Sequence, residues 1–301
     1  ANNYYALIDP QGQFSTLSNW LEYAGFEDAY GDPVNDAGIS HALYLNNFDL
    51  GFARDMWMRQ DANGNVYSYV TNYPTLEAAL EARGEFAVVA MEYSENPDPD
   101  GENAKIVKFY AFVPDERNGD FIRSASMNFD GAGEKFLPGV CAACHQSNPG
   151  SRQFTDVSEA DINATFMPWD LDSFLYAHAS DPKFVEPTLD ASKFSQEVLD
   201  ANSLEAQGEQ LRQLNLGTLA TYVDNPERHA ASIQLIHGWY GDEGLELPID
   251  QLPNNSFNGE YTQPGWVGQE ELYHNVYARN CRICHTQVSN ENTNFDTYDE
   301  F

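Results

Sequence analysis

The pentapeptide Cys141-Ala142-Ala143-Cys144-His145 is answered, half a chain further on, by Cys281-Arg282-Ile283-Cys284-His285, and the 301-residue chain has no other cysteine. Each string sets two thiols one helical turn apart, with an imidazole directly after the second. The chain must therefore build two local frames, one around each string, and each string lies near the end of its half of the sequence. With all four cysteines in the two strings, no disulfide framework remains to staple the fold.

Three chemistries use closely spaced cysteine pairs: a redox dithiol, a four-cysteine zinc site and covalent haem attachment through C-x-x-C-H. The histidines separate them. With 7 His in 301 residues, His follows both pairs by chance only about once in two thousand, from (7/301) squared. A zinc ribbon brings its pairs much closer in sequence, and a redox dithiol gains nothing from a distant second copy. The expectation is two covalent haem c groups, held by thioethers at Cys141, Cys144, Cys281 and Cys284, with His145 and His285 as proximal iron ligands.

At these residues the chain resembles c-type cytochromes, which implies a periplasmic or extracellular location, because such haems are attached outside the cytoplasm. The start at Ala1, without an initiator Met or a charged-then-apolar leader, is what a mature exported protein shows after loss of its signal peptide. The longest apolar runs, such as Phe86 to Met91, fall far short of the roughly 20 residues that span a bilayer, so no membrane span is expected. With 15 basic and 47 acidic residues the net charge is −32. Such a surface repels nucleic acid and anionic lipid; it suits a basic redox protein as partner, and it serves equally to keep the chain soluble in a salty medium.

The fold class expected is α+β, with a β-rich haem module over residues 1–150 and a mainly helical one over 151–301. Strands are read at 51–60, 65–73, 85–94, 104–113 and 121–129, with Asn63-Gly64 as a hairpin turn. Helices are read from Leu17 to Ala24 and from Pro74 or Thr75 to Gly84. Glu95 to Glu102 reads as a solvated hairpin loop. In 104–113, Val107, Phe109 and Ala111 alternate with Ile106, Lys108 and Tyr110, which implies one face more deeply buried than the other. In the second half, helices are expected from Asn202, from Asn225-Pro226 to Gly241, and from about Val267 into the second motif.

Function turns on the sixth ligand of each iron, since a strong second ligand closes the metal and an open position admits a small molecule. Beyond His285 the sequence contains neither His nor Met. The distal donor for the second iron therefore comes from upstream. His237 is the first choice, with His229 in reserve, and His274 is disfavoured because it precedes His285 on the same expected helix. For the first iron the choices are His41, Met56, Met58 and Met127, with Met91, Met167 and His178 as the remaining donors of these types.

A β-rich module that ends in C-x-x-C-H is similar in architecture and motif position to the cytochrome P460 and cytochrome c′-beta group, a similarity confined to the first of the two modules. That resemblance implies a five-coordinate haem acting on small nitrogen compounds, and in some members a lysine cross-linked to the haem. Lys105, Lys108 and Lys135 are the lysines available here. Two haem motifs also resemble bacterial dihaem peroxidases and MauG-like enzymes, although there the motifs open their domains. The expected function is electron transfer by an exported dihaem cytochrome c. The alternatives are a haem enzyme or sensor acting on peroxide, nitric oxide or hydroxylamine, and a subunit that self-associates into a conducting filament.

Overall fold

The structure, a computed structural model, describes residues 1–28, 31, 33–34, 38–47, 49–115, 117, 119–145, 153–286 and 295–301, with the side chains of Ile283 and Cys284 excepted. The fold is α+β. Two short helices, α1 (Asn2–Ile8) and α2 (Leu17–Ala24), precede strand β1 (Ile39–Asn46). The α2 bounds coincide with the sequence expectation because both ends are capped: the Thr16 side chain accepts from Asn19 N, and Gly25 takes the left-handed conformation at φ +77°.

Asp61–Asn65 closes the first hairpin between β2 (Ala53–Gln60) and β3 (Val66–Tyr73). Gly64, at φ +72°, supplies the left-handed turn. The Asp61 carboxylate accepts from the backbone N of Asn63 and Asn65 at 2.8 and 2.9 Å. After α3 (Leu76–Leu80), capped by Thr75, come β4 (Ala87–Glu95), β5 (Lys105–Pro114) and β6 (Phe121–Arg123). These strands pair antiparallel in the order β6-β5-β4-β3-β2, and the Glu95–Glu102 loop joins β4 to β5 as expected. The segment 121–129 divides: β6 joins this sheet, while β7 (Ser126–Met127) pairs with β8 (Lys135–Phe136) in a separate ribbon leading to helix α4 (Gly139–His145).

Strand β5 departs from the expected pattern, being buried on both faces from Ile106 to Phe112, Lys108 included. The polar exception is balanced in place. Lys108 Nζ donates to Glu92 Oε1 at 3.1 Å and to Ser94 Oγ at 2.7 Å, and Trp20 Nε1 of α2 donates to Glu92 Oε2 at 3.1 Å.

The later part of the chain carries β9 (Phe174–Leu175), α5 (Gln196–Ala201), α6 (Leu204–Ala220) and α7 (Ala230–Trp239). Helix α6 starts one position later than the Asn202 reading because Ser203, not Asn202, caps it, its hydroxyl accepting from Ala206 N at 3.1 Å. The helix expected from Val267 into the second motif is interrupted. It consists of α8 (Glu270–Leu272), a π turn (Tyr273–Tyr277), α9 (Ala278–Asn280) and α10 (Arg282–His285), with a break at Cys281. Among the described residues no helix is long and apolar enough to cross a membrane.

Two compact units result: Ala1–His41 with Phe52–Ala164, and Ala42–Gly51 with Thr165–Phe301. This differs from a division at residue 150, a position outside the described residues. Ala42–Gly51 belongs with the second unit because Leu45 and Asn46 pair with Leu175 and Phe174 of β9, and Gln207 of α6 clasps the backbone N and O of Leu43.

Candidate functional site

In the first unit α4 follows Pro138, whose carbonyl accepts from Cys141 N at 3.0 Å and Ala142 N at 2.9 Å. The helix sets Cys141 and Cys144 one turn apart, the first partly buried and the second exposed. Burial, with the neighbouring Cys144 adding to it, pushes the Cys141 thiol up to about 12. A thiol held neutral by burial is unlike the reactive thiolate of a redox dithiol, and a neutral thiol can add its S–H across a vinyl C=C. Beside the entry to α4 lies a cleft of about 440 Å³ whose lining includes Phe136, Phe154 and Ala125.

The His145 ring lies 5.4 Å from that of Phe109, and this places the imidazole on one face of the sheet. Strand register extends that face: Phe109 stands opposite Met91, Met91 opposite Ser68, and Ser68 opposite Met58. Met56 lies on the same face, two positions before Met58. Met58, Met91 and Phe109 therefore form one row. Trp57, on the other face, stacks on His41 at 4.0 Å, and Asp55 binds the His41 ring through Nε2. His41 is accordingly not brought together with His145, because the sheet stands between them. Met127 is buried on β7, in the ribbon that leads into the motif.

The lysines are likewise committed elsewhere. Lys108 shares the Trp57 face with Glu92, away from Phe109. Lys105 Nζ donates to Asn63 O at 2.6 Å, and Lys135 Nζ reaches Asp130 at 2.6 and 2.8 Å.

In the second unit the motif is framed by a buried ion cluster. Arg282, between the two cysteines, has no exposed surface. Its Nε donates to Asp170 Oδ2 at 2.7 Å, and its Nη2 donates to Asp170 Oδ1 at 2.6 Å and Asp172 Oδ2 at 3.0 Å. Nη1 donates to Tyr273 OH at 3.1 Å, and the guanidinium lies over the Trp239 ring at 5.2 Å. Burial opposes the Arg282 charge, but Asp170 outweighs it and holds the guanidinium pKa well above its ordinary value. Burial also raises the Cys281 thiol. Cys284's side chain lies outside the described residues.

His285 stacks on Phe295 with ring centroids 4.2 Å apart and planes 13° from parallel. The histidine of each motif thus rests against a phenylalanine. Buried donors near the Asp170 cluster, Trp239 Nε1, Tyr176 OH and Ser173 Oγ, have no hydrogen-bond partner among the described residues. Such donors suit a group bearing acceptor oxygens, as haem propionates do.

His237 is fully committed. Its Nδ1 pairs with Asp242 Oδ2 at 2.7 Å and its Nε2 meets Ile249 O at 3.2 Å. Iron ligation would require it to release that carbonyl. His229 differs: among the described residues only Nδ1 is engaged, with Thr165 Oγ1 at 3.5 Å, and its ring stacks on Tyr222 at 4.1 Å. Burial, with Arg228 beside it, lowers its pKa to about 3, so the ring is neutral. Three positions on, Ser232 Oγ reaches the carbonyl of Thr286, the residue after His285, at 3.5 Å. His274 bonds Thr262, and His178 pairs with Asp200 at 3.5 Å.

Among the described residues no three His, Cys, Asp or Glu side chains gather as a metal-ion site. The Arg282–Asp170–Asp172 cluster was not legible beforehand, since nothing in the sequence singles out two aspartates so far ahead of their partner from the many other acidic side chains. No protein-family model matches the chain, and comparison with curated proteins and with solved structures finds no match in either.

Proposed function

We propose that this chain is an exported dihaem c-type cytochrome whose role is electron transfer. The supporting observation is the pair of C-x-x-C-H helices, each with its histidine ring set against a phenylalanine. Cys141, Cys144, Cys281 and Cys284 would hold the two groups, and His145 and His285 would ligate iron. When bound, each haem supplies a one-electron iron couple. Phe109 and Phe295 orient the two imidazoles, and the Arg282–Asp170 pair anchors the backbone between the second pair of thiols. For the second iron we favour His229 as distal donor: it is neutral, and Ser232, three residues on, reaches the Thr286 carbonyl. For the first, Met58 and Met91 share the sheet face against which His145 lies.

A second reading, one iron open to peroxide, nitric oxide or hydroxylamine, draws support from the same geometry. His237 is tied at both nitrogens and His41 lies on the opposite sheet face, so the two histidines first expected to close the irons are engaged elsewhere. Absorption spectra of the reduced protein with and without carbon monoxide separate the readings. Electron transfer through two closed irons predicts no spectral change, whereas a carbon monoxide complex at either iron establishes the second reading.

A further inference from the structure

We propose that the surface formed by Val267, Val276, Tyr298 and Phe301 is the docking site for a basic redox protein, and that the rings beneath it carry the electron between His285 and that partner. The proposal rests on the haem reading above. Four of the ten exposed large apolar side chains among the described residues lie in or beside one ring cluster: the Tyr298 and Phe301 rings meet Trp266, Val267 follows Trp266 in the chain and is 74% exposed, and Val276 precedes Tyr277. Grouping of this kind marks interaction sites more than solitary exposed residues do.

The surface is joined to the second motif by ring contacts. Phe295 stacks on His285 at 4.2 Å and meets Phe301 at 5.6 Å. Phe301 meets Trp266 at 5.3 Å, and Trp266 stacks on Tyr277 at 4.6 Å and meets Tyr298 at 5.9 Å. The arrangement is held by backbone bonds, Trp266 Nε1 to Phe295 O at 3.0 Å and Tyr298 N to Gly265 O at 2.9 Å. Only glycine fits at 265, where a Cβ would stand 2.5 Å from Asp296 O. Tunnelling weakens steeply with distance, and the sequence of ring contacts from His285 through Phe295 to the exposed Phe301 offers a short route from the second site to solvent.

Charge identifies the partner. Among the described residues, Glu270, Glu271, Asp299 and Glu300 are exposed close in sequence to these side chains, against one exposed cation there, Arg279. Arg282 is buried and neutralised by Asp170. On a chain of net charge −32 such a rim repels a second copy and attracts a basic protein, raising the encounter rate. An apolar centre with a charged rim suits a brief encounter in which one electron leaves the reduced iron and reduces the partner's oxidised centre, with no bond made or broken.

The test is stopped-flow oxidation of the fully reduced protein by an oxidised basic cytochrome c, and separately by benzoquinone, an uncharged oxidant, after a pyridine haemochrome assay has counted the haems. Val267→Lys and Asp299→Lys are each expected to slow the reaction with the basic cytochrome about tenfold at low salt. The effect should fade at high salt, and the benzoquinone rate should be unchanged. Glu102→Lys, an exposed charge change in the first unit, should match the wild type. Equal slowing by Glu102→Lys, wild-type rates in the Val267 and Asp299 variants, or a dimer in sedimentation that Val267→Lys dissociates would overturn the proposal. A haemochrome count below two would instead remove the haem reading beneath it.

Discussion

Arg282, between the cysteines of the second motif, is gripped bidentately by Asp170, far earlier in the chain, through two hydrogen bonds of 2.7 and 2.6 Å with both side chains buried. The first motif has Ala142 at the equivalent position, also buried but without charge. The two sites are therefore built differently despite their matching strings. The second is pinned by an ion pair, while the first has the small buried Ala142 at that position. Leaving Asp170 and Asp172 buried without their cation is costly, so Arg282→Met should destabilise the second unit by about 3–5 kcal/mol. Urea unfolding checks this. A loss under about 1 kcal/mol would show that the pair contributes little net stability.

The two candidate histidines of the second unit should behave oppositely. His229→Ala is expected to convert one haem to a high-spin spectrum with little loss of stability. His237→Ala should leave both spectra unchanged and cost about 1–3 kcal/mol, because it removes the buried hydrogen bonds from His237 to Asp242 and to the Ile249 carbonyl. Absorption and magnetic circular dichroism of the two variants decide between them. A spin change confined to His237→Ala would reverse the assignment.

Acid sensitivity follows from Asp242. Burial works to raise its carboxyl pKa, but hydrogen bonds from His237 and from the backbone N of Glu246 and Leu247 outweigh it and hold the value below normal. A carboxyl depressed in the folded state contributes stability that is fully present above the unfolded value of about 3.9 and is lost as pH falls through the folded value. Asp242→Asn should therefore flatten the fall in stability below about pH 4. Unfolding free energies measured across that range would show it, and an unchanged slope would assign the acid sensitivity to other carboxylates.

Lys108 distinguishes this chain from a haem protein with a lysine cross-link. Because Lys108 is paired with Glu92 on the sheet face away from Phe109, Lys108→Met should destabilise the first unit by about 3–5 kcal/mol and leave haem absorption unaltered. The double change Lys108→Met with Glu92→Leu should recover most of that loss. A shifted haem band in the single variant would place the lysine at the iron.

The α+β class, the meander of β2 to β5, the capped ends of α2 and the helix after Thr75 were all legible, because turn residues and caps act locally and are written into consecutive positions. Strand β1 and helix α1 were not anticipated: β1 owes its place to partners such as Gln207 and Phe174 far along the chain. The π turn at Tyr273–Tyr277 was also hidden, since Tyr273, Val276 and Tyr277 fit an ordinary helical stripe equally well. Among the site residues, the motif strings could be read directly. The separation of His41 from His145 depends on which side of a strand each faces, and the engagement of His237 depends on Asp242 and on Ile249 in the loop beyond it. Donor type can be read from a sequence, but donor availability is set by the folded surroundings.

Two thioether-bound haems are the claim on which the electron-transfer reading stands, and intact-mass spectrometry of the natively matured protein under denaturing conditions tests it most directly. The expected result is the polypeptide mass plus two haems, falling to one haem in Cys141→Ala/Cys144→Ala and likewise in Cys281→Ala/Cys284→Ala. A wild-type mass equal to that of the bare polypeptide, or one unchanged by either double substitution, would contradict it.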